Sequence, residues 1–451
     1  MKKGLIAFVV GMFISVGICF GEADRPNIVF MLVDDMGAGD LSCYGAPDVA
    51  TPRIDDLAAE GVRFTQFYAM GPECTPSRTA ILTGRYPQRA GGMECAIGTG
   101  DVGRYDDAIR LAETGDLGLP PEQAVLVPGL KAAGYANVIF GKWHLGYDQE
   151  KFSPLDQGFD EFYGFLGGNV DYFRHVELSE IPVMYRDREL AEEREGYMTH
   201  LITDDAVGFI EREHERPLFL YVPFSTPHFP FHGPEDDPGG LLPADQWTVG
   251  ERDAYVRMLV DMDESVGRIL DALDAAGLKE DTLVVFASDH GAMVPGINAP
   301  FRDYKGTLFE GGIRVPCIAR WPGKIPAGVE SSQVGTLMDL TVSFLDVAGA
   351  TVPDGGELDG VDILAKVVAG RADEDRELYW RSKRGERTWW AMRDGDWKYV
   401  KRDDGGTVDE WLFELASDEG EARDLRGDNE ERLEAMKRDL AEWESQVQAV
   451  R

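Results

Sequence analysis

Four short runs of the sequence are almost entirely apolar, and each is followed at once by polar residues. They read NIVFMLVDD (27–35), ANVIFGKWHLG (136–146), PLFLYVPFSTPH (217–228) and DTLVVFASDHG (281–291). Such runs alternate with helix-like stretches, which is typical of parallel strands covered by helices on both faces. Ligands of these sheets bind beyond the carboxyl ends of the strands. We therefore predict an α/β fold, a large and mostly parallel sheet between helices, with the functional site at that edge.

The residues after these four strands form one candidate site, because parallel strands end at the same edge of the sheet. Taken singly, each has an ordinary interpretation: an Asp-Asp or Asp-His pair is often a turn or a helix cap, and a single histidine is more often structural. Their joint occurrence after four predicted strands indicates a functional site. The candidates are Asp34, Asp35, Lys142, His144, His228, Asp289 and His290.

The segment CTPSRTAILTGR, residues 74–85, predicts a short helix with Cys74 at its exposed N-terminal end. Pro76 suits the first turn of a helix, and Gly84 suits the C-terminal cap. Free N–H groups favour an anion at a helix N-terminus, and Arg78 lies one turn further on the same face. The segment therefore indicates an anion-handling site. From these residues alone, Cys74 could be a thiol nucleophile, a disulfide partner, a core residue or a residue that is chemically modified.

Length and charge limit the class of protein. A chain of 451 residues favours two domains. The formal net charge of −36 and the pI near 4.5 argue against binding to nucleic acid, which needs a basic surface. An anion site in such a chain must be a local basic pocket.

The N-terminal segment has the pattern of a secretory signal peptide. Lys2 and Lys3 precede an apolar run over 5–20, and small residues follow at 21–23. An uncleaved anchor is the alternative, but the apolar run is short for a bilayer span. We expect a signal peptide over 1–23, export to the periplasm or the exterior, and no stable membrane insertion after cleavage.

Cysteine usage does not indicate a disulfide framework. Cys43, Cys74, Cys95 and Cys317 would remain after cleavage, which is few for so long an exported chain. One disulfide bond could form among Cys43, Cys95 and Cys317, and their spacing does not show which two would pair.

The C-terminal part has a different pattern. From about residue 371 the sequence alternates and turns at Gly385, Gly395 and Gly405, as an antiparallel meander does, and 429–450 reads as an amphipathic helix. We predict a catalytic domain over 24–370 and a C-terminal subdomain over 371–451, built from an antiparallel sheet and a terminal helix. For the tryptophans of this part, core packing is favoured over sugar stacking.

Together these motifs resemble the formylglycine-dependent, or type I, sulfatases of the alkaline-phosphatase-like superfamily. Cys74, Pro76, Ser77, Arg78, Leu82, Thr83, Gly84 and Arg85 match every fixed position of the family pattern C-x-P-S-R-x-x-x-L-T-G-R. The DD pair, GKWHLG, TPH, SDHG and YKGTLFEGGIRVP also match, and the resemblance extends over about 26–425.

The resemblance implies a catalytic role for the modified Cys74. A formylglycine-generating or maturase enzyme would oxidise it on the unfolded chain, and the hydrated aldehyde would attack sulfur as a covalent nucleophile. Arg78 and Lys142 would hold the charge of the hydrate, and His144 would take the proton that triggers sulfate release. His228 and Lys305 would contact the bridging oxygen of the leaving alcohol.

The resemblance also implies one divalent cation per chain. Its ligands would be Asp34, Asp35, Asp289, His290 and the modified Cys74. Carboxylate oxygens suit Ca²⁺, which we favour, or Mg²⁺. His290 stands where the family often has Asn, and a nitrogen ligand suits Ca²⁺ less well.

The substrate is less constrained by the sequence. Related sulfatases line the leaving-group side with the segment matching 164–175, so Asn169, Asp171 and His175 are candidate substrate contacts, with a structural loop as the equal alternative. We favour a sulfated carbohydrate over a small aryl sulfate ester. A phosphomonoester or phosphonate hydrolase of the same superfamily, and a non-catalytic protein that binds sulfated glycans, remain alternatives.

Overall fold

The computed structural model describes residues 25–90, 93–94, 96–98, 111–147, 151–178, 181–192, 194–237, 239–352, 356–370 and 375–447. The predicted signal peptide and Cys95 lie outside these residues. The strands form three sheets: one of ten strands, one of two and one of four.

The strands are β1 Asn27–Val33, β2 Val62–Phe64, β3 Phe67–Tyr68, β4 Ala136–Lys142, β5 Glu161–Phe165, β6 Met184–Arg186, β7 Glu189–Leu190, β8 Leu218–Pro223, β9 Thr282–Ser288, β10 Cys317–Arg320, β11 Val329–Ser331, β12 Gly335–Thr336, β13 Glu377–Arg384, β14 Arg387–Asp394, β15 Trp397–Asp404 and β16 Thr407–Glu414. The α-helices are α1 Pro52–Ala59, α2 Cys74–Thr83, α3 Leu126–Ala132, α4 Met198–Ile210, α5 Arg252–Ala275, α6 Glu310–Ile313, α7 Leu337–Val347, α8 Ile363–Val368 and α9 Glu430–Gln446. Short 3-10 helices cover Ala38–Asp40, Ser42–Tyr44, Pro121–Gln123, Ala244–Gln246 and Lys279–Asp281.

The large sheet has the order β11-β2-β10-β9-β1-β8-β4-β5-β6-β7. Its five central strands, from β9 to β5, are parallel, while β10, β6 and β7 pair antiparallel towards the two edges. Alternate residues of β1 belong to two different hydrophobic clusters. Phe30 and Leu32 pack in the first cluster, and Val29 and Met31 pack in the second. Both faces of the strand are therefore covered, which is why its sequence is apolar without alternation. The predicted fold class is confirmed.

The four apolar runs of the sequence are β1, β4, β8 and β9. The sequence placed Lys142 after its strand, but β4 includes this residue, because Gly141 and Lys142 still pair with β5. Gly141 adopts a φ of +136°, and a Cβ there would lie 2.1 Å from the carbonyl oxygen of Pro223. Only glycine fits this close approach of two strands.

The C-terminal sheet is a four-stranded antiparallel meander, β13-β14-β15-β16, as predicted. Helix α9 covers most of the predicted terminal helix. Trp380 and Trp443 are buried in a cluster that also contains Tyr68 and Phe309 of the larger part, so these tryptophans pack a core. The division at residues 370 and 371 stays a prediction.

A buried charge cluster joins the C-terminal sheet to the larger part. Lys398 of β15 lies 2.7 Å from Glu310 and 2.9 Å from Glu421, and none of the three side chains is exposed. Tyr68 donates a hydrogen bond of 2.7 Å to Glu310. Because buried charges are costly without partners, this cluster ties the two parts together specifically.

The structure also bears on the cysteines and on membrane-spanning helices. Cys43 and Cys317 are free thiols, so a disulfide between them is excluded. Within the ranges that the structure describes, no helix has both the length and the apolar character needed to cross a bilayer.

Candidate active site

The carboxyl ends of the central strands bring the predicted residues together. Asp34 and Asp35 follow β1, Lys142 ends β4, and Asp289 and His290 follow β9. Backbone hydrogen bonds fix their register: Asp289 donates to Val33 at 3.0 Å, and Asp34 donates to Thr226, beyond β8, at 3.2 Å. Convergence at one edge, expected from the sequence, is confirmed by these contacts.

Helix α2 presents Cys74 to this edge. The helix begins at Cys74, and Gly84 caps its C-terminus with a φ of +64°, donating to Ala80 at 2.8 Å, as the sequence predicts. Ser77 donates to the carbonyl of Gly71 at 3.1 Å, which fixes the chain that enters the helix. One expectation is wrong: Cys74 is only 1% exposed and not at an exposed end. The strand ends and their loops cover the helix N-terminus, which sequence periodicity cannot reveal.

Two nitrogen-bearing side chains contact the Cys74 sulfur. Lys142 Nζ lies 3.4 Å from Sγ, and His290 Nε2 lies 3.2 Å from it. Burial alone would raise the pKa of Cys74, but Lys142, Lys305 and His290 lower it well below its usual value. The site therefore stabilises negative charge at the side chain of residue 74.

Three buried carboxylates lie beside the sulfur. Asp34, Asp35 and Asp289 are all fully buried. Arg78 bridges two of them, with Nη2 at 3.0 Å from Asp34 and 3.1 Å from Asp289, and Lys142 also pairs with Asp34. Such fixed pairing makes the arrangement rigid.

The donor atoms are close enough for a metal ion. Ligand atoms of Asp34, Cys74, Asp289 and His290 all lie within 4.8 Å of one another. The same holds for a second group, which consists of Asp34, Asp35, Cys74 and His228. One oxygen of Asp35 is buried without a hydrogen-bond partner. Burial alone would lower the pKa of His290, but Asp289 and Cys74 raise it to about 10, which marks this point as one that attracts positive charge. These donors fit a hard divalent cation with one nitrogen ligand.

His144 is a further neighbour of Cys74. Its Nε2 is 2.6 Å from the carbonyl oxygen of Ile97, while its Nδ1 is buried without a partner. A carbonyl can only accept, so Nε2 carries the proton and Nδ1 offers its lone pair. Gly168 packs against the ring: a Cβ at this position would lie 2.7 Å from Cε1 of His144. The ring is therefore held in one place, with Nδ1 as its acceptor nitrogen.

His228 and Lys305 border Asp35. Lys305 Nζ is 2.6 Å from Oδ1 of Asp35, and His228 Nε2 is 3.7 Å from Oδ2. His228 Nδ1 donates to the carbonyl of Phe229 at 2.9 Å, which leaves Nε2 as the nitrogen that faces the site. Both side chains are therefore placed to meet a group bound next to Asp35.

The three candidate substrate contacts have different surroundings. Asp171 is fully buried, and its Oδ1 accepts N–H groups of Phe173 and Arg174 at 2.9 and 2.7 Å. His175 Nε2 donates to the carbonyl of Gly196 at 3.0 Å, whereas Asn169 is only half-buried. The geometry of Asp171 and His175 favours the structural interpretation, and substrate contact by the three residues stays a prediction.

Sequence reasoning missed the groups that support the site. Tyr172 donates to the carbonyl of His228 at 2.9 Å, and Tyr255 donates to the carbonyl of Asp35 at 2.8 Å. The Tyr255 oxygen also lies 2.8 Å from Oδ2 of Asp40, a buried side chain that accepts the N–H of Ile297. These partners are distant in sequence. No local sequence pattern predicts that a tyrosine hydroxyl will donate to a distant backbone carbonyl.

Comparison with known proteins gives matches over almost the whole chain. The family model described as Sulfatase matches residues 26–350. A second model, described as N-sulphoglucosamine sulphohydrolase, C-terminal, matches residues 301–447 and so covers the meander and the terminal helix.

Individual relatives agree with these models. N-acetylgalactosamine-6-sulfatase of Canis lupus familiaris is 36% identical over 380 residues, covering 80% of this chain and 69% of that protein. An arylsulfatase of Hemicentrotus pulcherrimus is 32% identical and covers 80% of this chain and 65% of that protein. The crystal structure of Ps i-CgsB in complex with k-i-k-neocarrahexaose has 29% identity and a TM-score of 0.80, covering 93% of this chain and 92% of that one.

Proposed function

The chain belongs to the sulfatase family and is a sulfuric ester hydrolase, and from this premise we propose that it removes sulfate from carbohydrates by means of a formylglycine made from Cys74 and one bound divalent cation. The observation that carries the proposal is the contact of Cys74 with Lys142 and His290 beside three buried carboxylates. A cysteine that served only packing would not need such partners.

The Cys74 sulfur occupies the position that an oxygen of formylglycine, or of its hydrate, would take. After conversion, this group supplies the nucleophile for sulfur and a way to expel sulfate. Arg78 and Lys142 hold the negative charge that the site concentrates at residue 74. His144 accepts a proton at Nδ1, because Nε2–H is committed to Ile97.

His228 and Lys305 would serve the leaving alcohol. Lys305 carries a positive charge that Asp35 keeps in place, so it can stabilise the bridging oxygen as the bond to sulfur breaks. His228 would donate a proton from Nε2, the nitrogen that faces Asp35. A sulfate ester needs this cationic surrounding because charge moves onto the leaving oxygen.

Asp34, Asp35, Asp289 and His290, with residue 74, would hold the divalent cation. We favour Ca²⁺ for its preference for carboxylate oxygens, with Mg²⁺ as the alternative. A bound cation would polarise the oxygens of the sulfate group and favour loss of protons near it.

A carbohydrate substrate is supported by the names of the relatives. One is an N-acetylgalactosamine-6-sulfatase, and a structure of similar fold holds a neocarrahexaose. Small aryl sulfates are the second candidate, supported by the related arylsulfatase. A phosphonate monoester hydrolase shares the fold with a TM-score of 0.67 at 20% identity, which is a likeness of fold alone.

We also propose that the chain is exported through residues 1–23 and that Cys74 is converted before folding. Cys74 is buried by three strand ends in the folded chain. A formylglycine-generating or maturase enzyme must therefore reach the residue on the unfolded chain.

Peptide mass spectrometry of the tryptic fragment with Cys74 tests the proposal. Conversion of the thiol to an aldehyde should lower the fragment mass by about 18 Da. The converted protein should release sulfate from N-acetylgalactosamine 6-sulfate or sulfated oligosaccharides faster than from nitrophenyl sulfate, and much faster than phosphate from nitrophenyl phosphate. An unmodified thiol in fully active protein would disprove the formylglycine mechanism, and faster aryl sulfate turnover would disprove the carbohydrate assignment.

A further inference from the structure

Two arginines of β13 reach from the C-terminal sheet towards Glu94, Ala96 and Ile97, which lie beside the active site. Arg384 Nη1 lies 2.8 Å from Oε1 of Glu73. Glu73 is the N-cap residue of helix α2 and directly precedes Cys74. Glu73 is almost fully buried, and its other oxygen accepts the N–H of Ala96 at 2.6 Å. One carboxylate thus connects the C-terminal sheet, the catalytic helix and Ala96.

Arg381 makes a parallel connection. Its Nε and Nη2 donate to the two oxygens of Glu94 at 2.9 and 2.5 Å, a bidentate pair. Its Nη1 donates to Glu444 of helix α9 at 3.1 Å, and Trp390 donates to the same carboxylate at 3.0 Å. Arg381 therefore holds Glu94, and Glu444 of helix α9 holds Arg381.

Ile97, next to Ala96, contacts His144 directly. The N–H of Ile97 donates to Oγ1 of Thr75 at 3.2 Å, and this hydroxyl donates to the carbonyl of His144 at 3.1 Å. The carbonyl of Ile97 accepts from Nε2 of His144 at 2.6 Å. Since this contact selects which ring nitrogen carries the proton, the position of Ile97 decides whether Nδ1 is a base.

We propose that Arg381 and Arg384 are positioning residues for His144, acting through Glu94, Glu73 and the carbonyl of Ile97. In this arrangement the C-terminal sheet is part of the catalytic apparatus, because its two arginines act on His144 through other residues. The effect on turnover rests on the proposed function, whereas the effect on the tautomer of His144 does not.

The tautomer is measured by nitrogen NMR on protein labelled with ¹⁵N-histidine. The chain has seven histidines, and a His144→Gln variant identifies the signals of His144. The wild-type ring should carry its proton on Nε2, and Arg384→Ala should shift these signals towards a mixture of tautomers. Protonation on Nδ1 in the wild type, or unchanged His144 signals in Arg384→Ala, would overturn the proposal.

Turnover gives the second readout. Arg384→Ala should lower kcat by about tenfold to a hundredfold with little change in KM, because a small displacement of a catalytic group is costly. The half-exposed Arg384 should be replaced without loss of folding, and Arg384→Lys should recover part of kcat. Arg387→Ala is the matched control, since Arg387 pairs with Asp404 at 2.6 Å within the meander. Equal kcat in wild type and Arg384→Ala would contradict the proposal, while an inactive wild type would instead reject the proposed function.

A double-mutant cycle tests the route. If Arg384 acts through Glu73, the pair Glu73→Gln and Arg384→Ala should lower kcat no further than the more severe single variant. Additive losses in kcat would mean that the two residues act separately, which would overturn the proposed connection.

Discussion

Lys142 Nζ lies 3.4 Å from Sγ of Cys74 and pairs at the same time with Asp34, while no part of the lysine is exposed. Substitution by methionine keeps the length of the side chain and removes its charge. Lys142→Met should therefore lower kcat at least about a hundredfold, as loss of a group that stabilises developing charge does.

Steady-state kinetics on a sulfate ester measures this loss, and peptide mass spectrometry shows whether residue 74 is still converted. Lys151→Met is the matched control, because Lys151 is half-exposed and pairs at 3.3 Å with Asp116, which is also exposed. Wild-type kcat in fully converted Lys142→Met protein would exclude a role for the lysine in turnover.

Asp289 is expected to be essential for holding the cation. Asp289→Asn should bind less than one divalent ion per chain and lose activity, and a chelator should lower the melting temperature of the wild type but not of the variant. Elemental analysis of the purified protein checks the ion and its number. Asp271→Asn is the control, since Asp271 is exposed and pairs with Arg53. Two zinc ions per chain in the wild type would contradict the prediction and favour a phosphatase.

Gly168 leaves no room for a side chain next to His144. In Gly168→Ala the new Cβ would lie 2.7 Å from Cε1 and 2.8 Å from Nε2 of the ring, so the imidazole must leave the position in which it bonds to Ile97. We expect about tenfold lower kcat and a loss of about 1–3 kcal/mol of stability from overpacking.

Kinetics and thermal unfolding measure the two effects of Gly168→Ala. Gly208→Ala is the control, because a Cβ at this helical position meets nothing within 4 Å. A variant with full kcat would show that the placement of His144 tolerates displacement.

The buried cluster at Lys398 should make stability depend on pH. Burial raises the pKa of Glu421 to about 7, although Lys398 opposes the shift, so the folded state holds a proton that the unfolded state loses near pH 4.5. Stability from this group therefore falls as pH rises from about 4.5 to 7. Lys398, Arg314 and Arg393 outweigh burial at Glu310 and lower its pKa to about 2, so its contribution is lost as pH falls from about 4.5 to 2.

Melting temperatures at pH 5, 6 and 7 test this pH dependence. The decline over this interval should be smaller in Glu421→Gln than in wild type, because glutamine does not titrate. Glu419→Gln, at an exposed position, should keep the wild-type decline. The same decline in Glu421→Gln would show that Glu421 does not retain a proton in the folded state.

The sequence by itself determined the class of fold and indicated which residues meet at the candidate site. Unbroken apolar strands require burial on both faces, and parallel strands must deliver the residues at their carboxyl ends to one edge, so Asp34, Lys142 and Asp289 could be assigned together. The helix from Cys74 to Gly84 was predictable because its start and stop depend on local backbone preferences. The meander was predictable for the same reason, since Gly395 and Gly405 adopt the positive φ that its turns need.

Tertiary structure decided the features that depend on residues far apart in the chain. The burial of Cys74, the carbonyl of Ile97 at His144, and the reach of Arg384 to Glu73 join segments separated by 47 to 311 positions. Every residue has a backbone carbonyl, so the sequence does not show which carbonyl contacts a histidine. An arginine in a strand is expected to be a solvated surface charge. Only tertiary packing brings these groups within hydrogen-bonding distance, because such bonds act over about 3 Å and sequence patterns act over a few residues.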